Sequence, residues 1–509
     1  MVASPLSSQP SSVDTTAYIQ AEARRIDDLI HRLKEDRAAL SRRLNSVQAA
    51  TRVLPPEILS LILKHASVPT PDPVLAMMSD YKLRLPPHLI FGSVSTSWRE
   101  VVHSTPSLWN SILVKTGLKA SRKWAVFLQA SFKKSGSLPL TLAFGGLGKP
   151  WELHGCLISS EVDSVLMENS HRIRKLCLSR YISPKWASVI PNLVGLLDLH
   201  VSSTTSLPTL SFSRDLPLTR IRFNTSIQSL ALPLPMSLTV ISLSNLAIDL
   251  CFQLLTNSPR LVEFRCSEPL KSGRNHIDAA LSGPLVLEQL EILEWTFLPD
   301  PIAPWSHELL THIEVPALKT LKWVEKSGSL HLHNQATIAS FLNRLPLSLR
   351  WLEFVDIDHV SLLNCNLIQH VRDKTEVRMI TMEHCSESFI CYVLVGLQRD
   401  EEGLVPFPSL NYIDIDEIST TFSPNEPNTL GHVTGACLAM VLRQRCNEIY
   451  DFTFAVNSIP IRWAESTIDD LQDLVDTEGL ELELLHDGVN LLRPKEDSDA
   501  SSNIASFET

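Results

Sequence analysis

Four places in this 509-residue chain gather side chains that can do chemistry, and each falls short of a working set. His331 and His333 flank one residue and can chelate a metal, but no third ligand lies at a helpful spacing. Asp414, Asp416 and Glu417 can attract a cation, yet the Gly and distal Glu of a calcium loop are missing. His384 stands beside Cys385 and near Cys391, as a base stands beside a thiol nucleophile, but a chance cluster is the better reading of the spacing. The run Gly145-Gly146-Leu147-Gly148-Lys149-Pro150 lacks the four-residue gap before Gly-Lys of a phosphate loop. Pro150 also replaces the Ser or Thr that would reach Mg²⁺, so a surface turn is expected. Paired carboxylates are plentiful but sit at strand edges with no pocket in view. The expectation is a protein that is not an enzyme, with no catalytic residues, no metal and no cofactor.

The side chains left to explain are those that bind. They are positioned by a short signature, apolar-x-x-apolar-x-apolar, that recurs eleven times. The copies are Ile173/Leu176/Leu178, Val194/Leu197/Leu199, Leu218/Ile221/Phe223, Leu238/Ile241/Leu243, Leu261/Phe264/Cys266 and Leu290/Leu293/Trp295. Leu318/Leu321/Trp323, Leu349/Leu352/Phe354, Val377/Ile380/Met382, Leu410/Ile413/Ile415 and Ile449/Phe452/Phe454 follow. Successive copies start 20 to 39 residues apart. A unit of that size cannot bury its own apolar face, so copies must stack on one another.

Strand side chains alternate, so the last two apolar residues of each copy point into the core and their neighbours point out. Trp295 and Trp323 are therefore expected in the core. The outward set begins with Lys175, Arg220, Arg222, Asn224 and Arg265 and ends with Trp351, Glu353, Glu383, Tyr412, Asp414, Asp416 and Asp451. One end of the face reads as basic, the other as acidic with aromatic anchors. Trp, Tyr and Arg tend to carry interface energy, and opposite-sign ends would orient a partner. The expected target-binding residues are Arg220, Arg222, Arg265, Trp351, Glu353, Tyr412 and Asp414; ordinary solvated strand faces are the simpler alternative.

Bulk properties narrow the class. Apolar residues make up 44% and charged residues 20%, enough for large cores. A net charge of −11 argues against nucleic acid, which needs clustered Lys and Arg. No apolar run approaches the roughly 20 residues that span a bilayer, so no membrane partner is expected. The longest, Phe389 to Leu397, reads as one buried helix. The first residues lack a basic start and an apolar core, so no secretory signal is expected. Nine scattered cysteines without a Cys-x-x-Cys fit reduced thiols in cytoplasm or nucleus.

Ahead of the repeats the chain reads as helical. Residues 1–13 are Ser/Pro-rich and expected to be disordered. From 14 to 50, Ile19, Ile26, Leu33, Leu40 and Val47 fall every seventh residue, with Ala23, Ile30 and Leu44 on a companion seam that Arg37 interrupts. This helix either packs on its own chain or forms a short coiled coil, a possible homodimer. Pro56 and Glu57 suit a helix start, with Ile58, Leu59, Ile62 and Leu63 on its buried face. A Pro-rich loop follows at 68–74, and then a helix over 89–102. The Ser-Thr-Pro turn before Leu108 and Trp109 is expected to deliver them as an exposed or docking pair. Helical periodicity returns over 122–132, a strand is expected over 138–144, and the tail from 491 to 509 is polar.

Leu54-Pro55-Pro56-Glu57-Ile58-Leu59, Val94-x-x-x-Trp98 and Leu108-Trp109 together resemble an F-box over about residues 51–112. Ser95 stands where that family usually has Cys three residues before the Trp. With the heptad helix before it and Ser-Gly-Ser-Leu-Pro-Leu-Thr-Leu at 135–142 after it, the chain is similar to a group of fungal F-box-like proteins. In such families, leucine-rich repeats commonly follow the F-box. The resemblance implies an α/β protein: an F-box-like helical domain at 51–115, a junction at 116–170 and an irregular leucine-rich-repeat solenoid at 171–490. It implies a substrate-recognition subunit of an SCF-type ubiquitin ligase. Leu54, Pro55, Ile58, Leu59, Trp98, Leu108 and Trp109 would dock the Skp adaptor and its cullin complex, and the repeats would hold an unknown target protein. A repeat scaffold without a ligase role, its helices serving as a cap, is the alternative.

Overall fold

The computed structural model describes residues 12–48, 54–67, 86–116, 121–146, 160–179, 185–202, 209–225, 230–231, 234–270, 284–297, 308–325, 335–357, 367–399, 403–416, 430–445, 451–457 and 463–492. The Pro-rich loop after Ala66, the His331/His333 pair, Glu417, most of the glycine-lysine run and the polar tail beyond Leu492 lie outside these. So does the Ser/Pro-rich start up to Ser11, while Ser12 and Val13, expected to be disordered, begin the first helix. The chain is mixed α/β and divides into two compact units: Met1–Leu113 with Val126–Leu140, and Val114–Ala125 with Thr141–Thr509.

The first unit is helical. α1 runs Ser12–Gln48, a 37-residue helix without Pro or Gly. α2 (Pro56–Ala66) starts on Pro56, whose fixed φ suits the first turn, and Glu57 lies at its positive end with Lys64 and His65 at its negative end. α3 spans Pro87–Val94 and α4 Thr96–Ser104. Ser95 caps α4, its hydroxyl accepting from the Trp98 N–H at 3.1 Å, so it serves as a helix start. α5 covers Ser121–Lys134, and its residues from Val126 on belong to this unit. Leu59 and Leu63, one turn apart on α2, pack with Val101 and Val102 of α4 and with Leu108 and Trp109; Leu89, Phe91 and Trp98 cover the cluster.

The second unit is built on a large parallel sheet. Two strands, Ser111–Thr116 and Leu140–Gly146, lead this sheet. Among the described residues they are followed by β1 (Ile173–Ser179), β2 (Asp198–Ser202), β3 (Arg220–Asn224), β4 (Val240–Ser244), β5 (Glu263–Ser267) and β6 (Ile292–Phe297). They continue with β7 (Thr320–Glu325), β8 (Trp351–Val355), β9 (Met379–Glu383), β10 (Tyr412–Asp416), β11 (Asp451–Asn457) and β12 (Glu481–His486). Each pairs in parallel with the next, and a short return at Val489–Asn490 runs antiparallel to β12. Helices such as Ile248–Thr256, Glu387–Gly396, Leu430–Arg445 and Glu465–Glu478 lie between strands. The apolar run at 389–397 is indeed helical, with Phe389, Ile390, Val393 and Leu394 buried.

Register explains the core. Leu176, Leu199, Ile221, Ile241, Phe264, Leu293, Leu321, Leu352, Ile380, Ile413 and Phe454 face one another across successive strands, all at most 2% exposed. Two residues on, Trp295 pairs with Trp323, and both are buried as expected. Two copies of the signature need correction. The one begun at Val194 is two residues early, since Leu176 pairs with Leu199, and Val194 is 58% exposed. The last copy is also two early, since Ile413 pairs with Phe454.

Beyond the strands, the turns repeat too. The residue just after four strands, Asn245, Glu268, Asp356 and His384, has φ between 53° and 59°. At Asn245, Asp356 and His384 the N–H donates to the last carbonyl of the next strand, of Ser267, Glu383 and Asp416. This left-handed residue turns the chain off the sheet while keeping its backbone donor satisfied.

Candidate interaction surfaces

The seven expected adaptor-docking residues divide between core and surface. Leu59, Leu108 and Trp109 are 2%, 5% and 2% exposed and form the centre of the helical cluster. The expected exposed pair Leu108-Trp109 is therefore corrected to a buried one. The turn at Pro106–Leu108 points Trp109 inward, where its indole N–H donates to the Val102 carbonyl at 2.8 Å. The ring lies against His88 at 4.3 Å and under the Lys134 ammonium at 4.1 Å. Thr105 closes the same turn, its hydroxyl donating to Val101 O at 2.7 Å. Leu54 and Trp98 are half-buried, and Pro55 and Ile58 are exposed.

On α2 and α3 the exposed large apolar residues are Ile58, Leu61 and Ile62, and Ile90 and Val94. Ile62, read from sequence as part of the buried face of α2, is 44% exposed, because Leu59 and Leu63 alone face the core. Leu61, Ile90 and Val94 were absent from the expected set. Helical spacing gives the signal that finds them: 58, 61 and 62 share one face of α2, and 90 and 94 are one turn apart.

On the sheet, the outward rows can be followed strand by strand. One row reads Lys175, Asp198, Arg220, Val240, Glu263, Ile292, Thr320, Trp351, Met379 and Tyr412. The next reads Arg222, Ser242, Arg265, Glu294, Lys322, Glu353, Thr381 and Asp414. The structure thus places all seven expected target-binding residues on outward rows. The expected basic end is corrected, because acids interleave with its cations. Asp198 sits 3.7 Å from Lys175 and 3.6 Å from Arg220, and Arg265 lies 2.7 Å from Glu263 and 3.5 Å from Glu294. Lys322 bonds Glu353 and lies 3.6 Å from Glu383. Asp198, Glu263, Glu294 and Lys322 fall at the same alternating positions, so the alternation rule finds them.

The late strands keep a surplus of acid. Glu353 and Glu383 share Lys322, and Asp414 and Asp416 add two more carboxylates on β10. Burial pulls the Lys322 ammonium down, but Glu353 and the neighbouring carboxylates outweigh it and hold it above the ordinary value. Burial and then Asp416 push the Asp414 carboxyl up, against the pull of a hydrogen bond from Asn457 at 3.0 Å. Beside these acids run Trp351, Met379 and Tyr412 on adjacent strands. Trp351 is 38% exposed and its indole N–H donates to the Thr381 hydroxyl at 3.0 Å. Asp451 is exposed at the first position of β11, aligned with Glu481, outside both rows.

The thiols near His384 are poorly suited to nucleophilic work. Burial pushes Cys385 up to about 12 and Cys391 up to about 11, so both stay protonated at neutral pH. Among the described residues no group of three or more His, Cys, Asp or Glu is arranged to hold a metal, and no helix is long and apolar enough to cross a membrane. Comparison with models of known protein families gives no match, and comparison with curated proteins gives none either.

Proposed function

We propose that the chain is the substrate-recognition subunit of an SCF-type ubiquitin ligase, an F-box-like domain followed by leucine-rich repeats, working in cytoplasm or nucleus. The supporting observation is the division of labour in the helical unit. Leu59, Leu63, Val101, Val102, Leu108 and Trp109 hold it together, while Ile58, Leu61, Ile62, Ile90 and Val94 remain exposed. Two short helices, α2 and α3, that leave these five large aliphatic side chains in water offer an apolar surface suited to a partner, here the Skp adaptor. The sheet would hold the target at Trp351, Met379 and Tyr412, beside the carboxylates of Glu353, Glu383 and Asp414. A target segment with aliphatic and basic side chains matches that chemistry. The chain itself does no chemistry in this reading; it raises the effective concentration of target lysines near the recruited conjugating enzyme.

The test is titration calorimetry of the full chain with the Skp adaptor. Wild type is expected to bind at micromolar concentration. Ile58→Asp and Ile62→Asp are expected to abolish binding with thermal unfolding unchanged. Trp109→Ala is expected to lose binding through loss of the unit itself, since emptying a buried aromatic site costs about 3–5 kcal/mol. Wild type that releases no binding heat under these conditions would remove the ligase role.

A further inference from the structure

Among the described residues nothing covers the seam of α1. Ile19, Ile26, Ile30, Leu33, Leu40 and Leu44 are 43–64% exposed. A helix of this length made of polar residues is held in water chiefly by packing of its apolar stripe, so the stripe calls for a second helix. We propose that α1 pairs with α1 of a second copy of this chain as an antiparallel coiled coil. The proposal is independent of the ligase reading.

The orientation follows from which residues meet. In heptad terms Ile19, Ile26, Leu33 and Leu40 take the d positions and Ala23, Ile30, Arg37 and Leu44 the a positions. A parallel pair would set Arg37 against the partner's Arg37 in one buried layer, two like charges in an apolar seam. It would also bring Glu22, at g, against the partner's Asp27, at e, in two symmetric repulsions.

The antiparallel pair removes both problems. It forms mixed layers: Ile19 with the partner's Leu44, Ala23 with the partner's Leu40, Ile26 with the partner's Arg37, and Ile30 with the partner's Leu33. The two arginines then lie eleven residues apart along the axis, roughly 16 Å at 1.5 Å per residue. Each also has the partner's Asp27 beside it. The flanks now match in sign, because g meets g and e meets e: Glu22 faces the partner's Arg43, and Asp27 faces the partner's Lys34. All four layers keep Ile19 to Leu44 in register over roughly 39 Å of helix. Charge complementarity thus selects the second copy as occupant and sets its direction. Glu22 already bonds Arg25 at 3.0 Å within the helix, on the exposed side, and that contact is compatible with either orientation.

Sedimentation equilibrium of the full chain tests this. Wild type is expected to form a concentration-dependent dimer, and Leu33→Asp to be monomeric with the sheet's thermal transition unchanged. Glu22→Arg separates the orientations. In the antiparallel pair it faces the partner's Arg43 and the dissociation constant rises about tenfold, and the double variant Glu22→Arg with Arg43→Glu restores it. In a parallel pair the same change meets the partner's Asp27 and tightens the dimer. A monomer at about 100 μM, a dimer indifferent to Leu33→Asp, a trimer or tetramer mass, or tightening by Glu22→Arg would each overturn the proposal.

Discussion

Ile26 of α1 and Leu293 of β6 each belong to a strict apolar period, seven residues along one helix and one residue in each successive strand. Ile26 is 49% exposed and Leu293 is fully buried. The difference lies in what the chain supplies opposite each. Every strand of the sheet has a sequential neighbour in register, so its apolar row is covered by the next copy of itself. α1 occurs once, so its matching copy must come from another molecule. Both patterns are self-complementary, one within the chain and one between chains.

The sharpest way to break this comparison is the same substitution in both stripes. Leu321→Asp puts a carboxylate in a row where Leu293 and Leu352 flank it on both sides, with no cation among the row's apolar members. It is expected to cost about 4 kcal/mol or more in the sheet unit. Leu33→Asp in α1 is expected to leave that unit's thermal midpoint within about 1 °C, since exposed substitutions usually stay inside ±0.5 kcal/mol. A small loss for Leu321→Asp would mean that the strand register is wrong.

A smaller effect separates the helical unit from the sheet by pH. His88 is 4% exposed, with its Nε2 lacking a hydrogen-bond partner among the described residues. It packs against Trp109 and Phe127. Burial, and then the Lys134 charge, hold its imidazole down to about 4. His103, whose ring also meets Trp109 edge-on, is lowered for the same reasons, with Arg99 adding to Lys134. Unfolded, the His88 ring takes up a proton near 6.5; folded, it refuses one until about 4. The unfolded state binds more protons across that window, so its contribution is complete above pH 6.5 and lost as pH falls toward 4. Denaturant titration is expected to show the helical unit losing about 1–2 kcal/mol between pH 7 and 5 from this group. His88→Phe is expected to flatten that slope. An unchanged slope would mean that the ring is solvated.

Legibility differed between the two regions for physical reasons. The strand rows could be read because alternation fixes which side chains turn in, and burial of both Trp295 and Trp323 follows from it. The rule slipped where the signature has competitors: Leu193, Leu196, Leu197 and Leu199 crowd one stretch, and only pairing with Leu176 decides among them. Trp109 was misread because a large aromatic after a Ser-Thr-Pro turn gives no local sign of direction. The carbonyl of Val102 and the ring of His88, seven and twenty-one residues away, set it. The interleaved acids of the open face were visible at their positions, but their pairing with Arg220, Arg265 and Lys322 needs the register. Left-handed turns at Asn245, Glu268, Asp356 and His384 share no residue type, so composition could not announce them.

The smallest expected effect compares neighbours on one strand, Leu293 facing in and Glu294 facing out. Arg265 bridges Glu263 and Glu294 with its own side chain 42% exposed. Solvent screens such contacts, so Arg265→Ala is expected to cost less than about 1 kcal/mol at neutral pH, far below the cost of a charge at Leu321. Its pH dependence carries the information. Burial already pushes the Glu294 carboxyl up, and Lys322 and Arg265 are the cations that pull it back. Without Arg265 the carboxyl rises further. A carboxyl raised in the folded state favours folding while protonated, and that contribution is lost as pH climbs through the raised value. The cost of Arg265→Ala should therefore shrink toward acid pH and grow toward neutral. Denaturant curves at several pH values check this, and a cost independent of pH would mean that Arg265 acts through packing of its stem and not through Glu294.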